Sequence, residues 1–405
     1  MKRFHYKPRF LADPLRKALS FAPVVVLTGA RQVGKSTLLV HEPPISHWKA
    51  FSLDDPETLI LFKRFPRESI ASSEKLVIDE VQRAPEILSY IKLAVDEDRS
   101  RRFVLSGSAN LLLMKQVSES LAGRAIYLEL GPFLLDELLE RGKRLCVFLD
   151  TGELSPPPPV DLTLEFLLFR GFLPPVTELE DPLEINLWWK GYISTYLERD
   201  LRDLSQVANL ADFHLFMEVL SSRIASLLNQ NEAARDAGLS PATASRYLNL
   251  LETSGLVVRL RPYFANLSKR LVKRPKLFFF DCGLARVLAG YQTPEEIPTK
   301  FMGALFENFV FQELWALRSL LPSVEVFFFR TLGGKEIEVD FLVKKGRAWH
   351  AFEVKYRREV GLREAESLLK LRSFLPEIAS FNLIYAGDEY HELPGGIRVI
   401  PWWWL

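Results

Sequence analysis

Val24-Val25-Val26-Leu27-Thr28-Gly29-Ala30-Arg31-Gln32-Val33-Gly34-Lys35-Ser36-Thr37 is the stretch on which the fold turns. A β-branched apolar run stops at a glycine, and a second glycine is followed at once by lysine and a hydroxyl residue. The run predicts a strand over Val24–Thr28, and the residues after Gly34 open a helical pattern. The chemistry of a phosphate-binding loop needs these residue types at this spacing. Glycines let the backbone curl so that its N–H groups face phosphate oxygens, while Lys35 reaches the β- and γ-phosphates and Ser36 offers its hydroxyl to Mg²⁺. The helix N-terminus adds a favourable dipole. Gly29, Ala30, Arg31, Gln32, Val33, Gly34, Lys35, Ser36 and Thr37 are therefore the candidate nucleotide-binding residues.

Outward from this loop, Leu76-Val77-Ile78-Asp79-Glu80 reads as a buried strand ending in two carboxylates. A buried parallel strand delivers its last residues to the carboxyl edge of its sheet, where nucleotides bind. Asp79 is expected to hold Mg²⁺ through water, and Glu80 to orient and polarise the attacking water. The next strand, Phe103-Val104-Leu105-Ser106-Gly107-Ser108, offers Ser106 or Ser108 as a γ-phosphate contact. Arg124, just before the last strand of the series, is read either as an arginine finger for a neighbouring subunit of a homo-oligomer or as a surface arginine.

From Pro23 to about Leu130, strand candidates (Val24–Thr28, Lys49–Leu53, Lys75–Asp79, Phe103–Ser106, Ala125–Leu130) alternate with helical patterns (Glu86–Val95, Asn110–Leu121). That alternation predicts a three-layer α/β domain with a mostly parallel sheet. The run Ser155-Pro156-Pro157-Pro158-Pro159 excludes helix and central strand. An aromatic-rich helix is expected from Ile185 to about Leu204, and a wholly helical region from Phe213 to about Leu260. Beyond Phe301 the pattern turns to one helix, strands, a helix and strands. Domain breaks are placed near 180 and 290, giving regions 1–180, 181–290 and 291–405. With 52 Lys plus Arg against 51 Asp plus Glu, any nucleic-acid surface must come from local clustering of charge. Two cysteines, Cys146 and Cys282, are too few for a disulfide framework. No apolar run approaches the length of a membrane span. These features lead to the expectation of a cytoplasmic protein with no membrane contact.

Two further constellations stand out. Asn231–Ala237, Gly238 and Ser240-Pro241 form a helix, a glycine turn and a capped second helix, with Ala244, Tyr247, Leu248 and Leu251 on one face. This pattern suits the helix-turn-helix of a winged helix. From Arg259 to Lys276 follow Arg259, Arg261, Lys269, Arg270, Lys273, Arg274 and Lys276 with no acidic residue, a basic segment suited to the DNA backbone. In the last third, Glu307 lies on a helical run. Asp340 ends Glu336-Ile337-Glu338-Val339-Asp340, and period two puts Glu353 and Lys355 on one face of their strand. Glu307, Asp340 and Glu353 form a candidate hard-cation site, with Lys355 stabilising charge during phosphodiester hydrolysis. The rival reading is a nuclease-like fold kept for binding or assembly.

The Gly29–Thr37 loop, Asp79-Glu80-Val81-Gln82-Arg83-Ala84-Pro85, Ser120-Leu121-Ala122-Gly123-Arg124, Tyr192–Asp200, Phe280-Asp281-Cys282-Gly283-Leu284 and Phe352-Glu353-Val354-Lys355 together resemble the bacterial and archaeal AAA+-like ATPases with a C-terminal DUF4143 region. The resemblance implies an ATPase core with a lid segment, a helical linker and winged-helix region, and a PD-(D/E)xK restriction-endonuclease-like domain. Arg170-Gly171-Phe172-Leu173-Pro174 departs from the pattern, carrying arginine where Gly-Gly is expected. The function expected is an ATP- and Mg²⁺-dependent ATPase that couples nucleotide state to a DNA-interacting, in one version nucleolytic, C-terminal module. The alternative is a nucleotide-controlled switch or assembly protein that binds a protein or DNA partner without cleaving it.

Overall fold

The computed structural model describes residues 5–107, 120–203 (backbone alone at 196–203), 209–263, 274–321, 323–331, 337–375 and 377–405. The chain divides into two compact units. One is Met1–Phe133 with Thr253–Gly255, and the other is Leu134–Glu252 with Leu256–Leu405.

The first unit is built on β1 (Val24–Thr28), β2 (Lys49–Ser52), β3 (Lys75–Asp79), β4 (Arg102–Ser106) and β5 (Ala125–Glu129). They form one parallel sheet in the order β2-β3-β4-β1-β5. All five residues of β1 are buried, as an interior strand of a sheet covered on both faces requires. β2, at the edge, exposes Lys49, Ala50 and Ser52 instead, and an edge lysine discourages pairing with another chain. On one face Val24, Val26, Leu76, Ile78, Phe103 and Leu105 pack with Leu88 and Ile91 of the helix Ile87–Glu97. Because β1 lies beside β4, and β4 beside β3, the carboxyl ends of these three strands adjoin. That is where a doubly wound sheet places ligands. The expected strands are all present with ends shifted by a residue at most. The expected helix Asn110–Leu121 lies mostly outside the described residues.

In the second unit the expectation of a wholly helical region from Phe213 to Leu260 is corrected. The helices Leu210–Ser221, Gln230–Asp236 and Pro241–Thr253 are interrupted by β6 (Ser226–Leu227) and followed by β7 (Val257–Leu260). Both strands pair antiparallel with β8 (Lys276–Phe279). The Val257-Val258 pair is β-branched and favours the strand; the helical period upstream masked it. A six-stranded sheet follows, from β9 (Val324–Arg330), β10 (Glu338–Lys345), β11 (Ala348–Lys355), β12 (Ile378–Tyr385), β13 (His391–Leu393) and β14 (Ile397–Pro401), in the order β13-β14-β12-β11-β10-β9. β9, β10 and β11 run antiparallel, whereas β11, β12 and β14 run parallel.

Residues 134–180 pack with this second unit, so the first compact unit ends well before the break expected near 180. Two contacts show why. The Leu135 amide donates to the Glu313 carboxylate at 2.7 Å, and the helix Leu164–Arg170 lies against Cys282–Leu288 and Thr299–Leu320.

The motif Phe280-Asp281-Cys282-Gly283-Leu284 is a packing hub. Asp281 accepts from the amides of Phe172 and Gly283, both at 2.7 Å. Trp189 is fully buried and its indole N–H donates to the Arg170 carbonyl at 2.9 Å. A Cβ on Gly283 would lie 2.6 Å from that indole nitrogen. Burial pushes Asp281 up to about 6 against the pull of its amide donors. Arg170, the residue departing from the expected glycine pair, ends its helix buried, with its guanidinium over the Phe166 ring. Gly171 carries the positive φ of +88°, and a Cβ there would lie 2.2 Å from Asp281 Oδ1. Gly171→Ala combines left-handed strain with overpacking against a buried carboxylate. It should cost about 2–4 kcal/mol, read as a lower melting temperature of the full chain, while Lys190→Ala on an exposed position should leave melting unchanged.

Candidate functional site

Gly29 stands at the end of β1 with φ +146°, and a Cβ on it would lie 2.2 Å from the Leu130 carbonyl oxygen. Only glycine lets the chain leave the strand there. Gln32 (φ +65°) and Gly34 (φ +95°) are also left-handed, so the loop doubles back before the helix Lys35–His41 begins. For Gln32 this conformation costs on the order of 1–2 kcal/mol. Strain of this kind is held where a backbone concavity is required. Lys35 is buried, and its ammonium donates to the carbonyls of Gly29 (3.0 Å) and Ala30 (2.9 Å). The lysine thus arches over its own loop.

Ser36 Oγ donates to Asp79 Oδ2 at 2.7 Å, and Ser106 Oγ donates to Asp79 Oδ1. Three residues from the ends of β3 and β4 and the start of the helix after β1 are therefore joined through one carboxylate. Ser106 is fully buried, whereas Ser36 is exposed. Glu80, the next residue, has the left-handed φ of +55°, and its amide donates to Asp79 Oδ1 at 3.1 Å. Gln82 Nε2 donates to Glu80 Oε2. Burial, and secondarily the charge of Asp79, hold the Glu80 carboxyl above its usual range. These residues fit a magnesium nucleotide. Ser36 and Asp79 could hold such an ion directly or through water, Gly29–Thr37 could frame the phosphates, and Lys35 and Ser106 lie alongside. Bound Mg²⁺ would neutralise phosphate charge and orient the terminal phosphoryl group.

Ser108 lies outside the described residues. Arg124 is paired within its own chain, donating to both carboxylate oxygens of Asp96 at 2.7 and 2.9 Å and to the Ala122 carbonyl at 3.1 Å. The pair is solvent-screened and gives way readily.

Arg9 was not legible beforehand. It is buried, donates to the Val33 carbonyl at 2.7 Å, and reaches Gly131 (2.8 Å) and Pro132 (2.9 Å) beyond β5. Its guanidinium also faces the Phe133 ring at 4.7 Å. One planar fork so ties the phosphate loop to the neighbouring strand exit.

In the second unit, Glu307, Asp340, Glu353 and Lys355 are brought together as expected from their strands and helix. Lys355 Nζ lies 2.6 Å from Glu353 Oε1, and Phe341, Leu342, Phe352 and Val354 are buried around them. A lysine lies among them. Among the described residues no group of three or more His, Cys, Asp or Glu is arranged to hold a metal ion. Lys276 is the physical reason, since its ammonium lies between the carboxylates at 2.7 Å from Glu338, 3.0 Å from Glu307 and 3.1 Å from Asp340. Burial and the neighbouring Asp340 push Glu307 and Glu353 up to about 8, partly offset by the lysines.

Of the basic segment, Arg259 pairs with Glu252 and, at 2.9 Å, with Asn249. Arg261 and Arg274 are exposed, and Lys269, Arg270 and Lys273 lie outside the described residues. Ala244, Tyr247, Leu248 and Leu251 are buried, leaving Arg246 and Asn249 outward. No described helix is long and apolar enough to cross a membrane.

Fold and loop together define an AAA-type P-loop ATPase, and residues 22–139 match the family described as AAA domain. Residues 161–295 match a domain of unknown function, DUF8612, and 302–405 another, DUF4143. Over 400 residues the chain is 30% identical to Uncharacterized protein Rv2008c of Mycobacterium tuberculosis, covering 97% of this chain and 83% of that one. It is 23% identical over 357 residues to Uncharacterized protein MJ1544 of Methanocaldococcus jannaschii, covering 83% and 75%. Solved structures similar to it include the Walker-type ATPase PABY2304 of Pyrococcus abyssi, with TM-score 0.48 and 18% identity over 69% of this chain and 94% of that one. Another is the RuvB Holliday junction branch migration motor of Thermotoga maritima, with TM-score 0.29 and 21% identity over 62% and 87%. The chain belongs to the family of the mycobacterial protein, P-loop ATPases with a C-terminal DUF4143 domain.

Arg9→Ala leaves three carbonyl acceptors without their charged donor. It should destabilise the nucleotide-binding unit by on the order of 2–4 kcal/mol. Arg9→Lys should recover only part of this, because one ammonium cannot span the same fork. Thermal unfolding of the three proteins checks the order.

Proposed function

We propose that the protein hydrolyses ATP with Mg²⁺ at the Gly29–Thr37 loop and uses the nucleotide cycle to control a DNA-binding second unit. The observation that carries this reading is the Asp79 carboxylate shared by Ser36 and Ser106. It joins the start of the helix after the loop, a strand-end carboxylate and a buried hydroxyl at one sheet edge, which supports a magnesium nucleotide there. Lys35 would leave the loop carbonyls for phosphate oxygens, and Glu80 would accept a proton from the attacking water while Gln82 steadies it. Ser106 would pass the presence or loss of the terminal phosphate to β4. Arg124, released from Asp96, would complete a neighbouring subunit's site in a homo-oligomer.

The DNA reading is supported by the order of elements from Leu210 to Phe279. Helix, strand, two helices and two strands is the order of a winged helix, with Arg246 and Asn249 outward on the second turn-linked helix and Arg261 and Arg274 exposed beside it. The second reading, a nucleotide-controlled switch that binds its partner without cleaving it, is favoured by Lys276 among the carboxylates.

ATP turnover measured with and without duplex DNA tests the proposal. Wild type should be stimulated several-fold by DNA. Lys35→Ala should lose turnover and nucleotide binding together, and Glu80→Gln should retain binding while losing about 100-fold or more in turnover, the scale of a general base. Turnover indifferent to DNA would point to a protein partner, and turnover intact in Glu80→Gln would remove its assigned role.

The pH dependence follows from the raised Glu80 carboxyl. The group must be ionised to take the proton, so turnover should fall as pH drops through a pKa lying above 4.5, the ordinary glutamate value. An acid limb at or below that value would contradict the assignment.

A further inference from the structure

Four carboxylates and two lysines meet inside the second unit. Glu307 comes from the helix Thr299–Leu320, Glu338 and Asp340 from β10, Glu353 and Lys355 from β11, and Lys276 from the start of β8. Carboxylates so placed in a nuclease-like fold are expected to converge on a divalent ion. Here they converge on an ammonium. Lys276 is 2% exposed, and its three nearest carboxylate oxygens lie at 2.7, 3.0 and 3.1 Å. Three acceptors satisfy the three donors of an ammonium. The second oxygen of Asp340 accepts from the Val354 amide at 2.9 Å, and Glu353 Oε1 is taken by Lys355 at 2.6 Å.

A divalent ion needs oxygen ligands at roughly 2.0–2.6 Å, and the oxygens of Glu307 and Asp340 that would supply them are the ones closed around Lys276 Nζ. The lysine and the ion exclude each other by space and by charge. A lysine this deeply buried is tolerable only with such partners, so each side of the arrangement depends on the other. We infer that Lys276 is the resident cation of this cluster, taking the place of a divalent metal, and that the domain is built for binding and not for metal-dependent cleavage.

One carboxylate oxygen of the cluster is left over. Glu353 Oε2 is buried without a hydrogen-bond partner, and it becomes an available ligand once Lys276 is neutralised. Removing the ammonium leaves Glu307, Glu338 and Asp340 without their shared donor and Lys355 as the one lysine named in the cluster, a condition that favours taking up an ion.

Manganese is the probe, with free Mn²⁺ followed by electron paramagnetic resonance during titration of the nucleotide-free full chain. Wild type and Glu353→Gln, which leaves the three Lys276 contacts in place, should bind Mn²⁺ equally. Lys276→Ala should bind at least tenfold tighter than wild type, and Lys276→Ala/Asp340→Ala should lose that gain. Mn²⁺ binding in wild type that Glu353→Gln removes would overturn the inference. A folded Lys276→Ala protein, judged by its melting transition, that gains no binding would also overturn it. Where Lys276→Ala fails to fold, the comparison of wild type with Glu353→Gln still decides.

Discussion

One carboxylate, Asp79, accepting from Ser36 and Ser106, is the contact on which the nucleotide-binding unit depends. It can exist only if three separate strands end at the same edge of the sheet. The strand order β2-β3-β4-β1-β5 achieves this, since β1 leads to the loop and helix that carry Ser36, β3 ends at Asp79 and β4 ends at Ser106. A change of register in β3 by one residue would turn Asp79 to the other face of the sheet and break both hydrogen bonds at once. The loop obeys a related constraint. The close approach of Gly29 to Leu130, the left-handed Gln32 and Gly34, and the Arg9 fork across Val33, Gly131 and Pro132 fix its shape. Preorganisation of this kind removes an ordering cost from nucleotide binding.

The second unit solves a different electrostatic problem with the same economy of residues. Lys276 compensates the Glu307, Glu338 and Asp340 carboxylates, and Lys355 compensates Glu353. β8 is paired on both edges, with β6 and β7, so the lysine also pins the small sheet to β10 and the helix Thr299–Leu320. Deeper in the unit, Arg286 is fully buried with its guanidinium 3.9 Å over the Phe169 ring, and burial draws it down to about 9. Asp281, Trp189 and Gly171 close around the same region. The segment Phe280–Leu284, one of those that carry the family resemblance, and the neighbouring Trp189 therefore act through packing and buried hydrogen bonds.

The parts legible in the sequence were those whose physics is local. Val24–Thr28 and Lys75–Asp79 are apolar runs bounded by glycine or by carboxylates, and their spans matched residue for residue. The Gly29–Ser36 loop carries its geometry in its glycines. What escaped depends on distant partners. Arg9 lies in a basic N-terminal stretch with no pattern, and its acceptors are far along the chain. Lys276 closed a run of basic residues and was counted with a DNA-facing surface, although β8 carries it inward to acids that follow it in sequence. β7 was hidden because Val257–Leu260 directly continues a strong helical period. Residues 134–180 read as part of the first unit because Leu135 and the helix Leu164–Arg170 find their partners much later in the chain, where no local pattern shows them.

Because Ser36 and Asp79 are joined by a hydrogen bond at the sheet edge, this pair is expected to make nucleotide binding depend on the metal. Calorimetric titration of a slowly hydrolysed ATP analogue, with and without Mg²⁺, tests it in wild type and Asp79→Asn. Wild type should bind at least tenfold more tightly with Mg²⁺, and Asp79→Asn should bind with the metal-free affinity under both conditions. Equal affinity in wild type with and without Mg²⁺, or an undiminished Mg²⁺ effect in Asp79→Asn, would contradict the account.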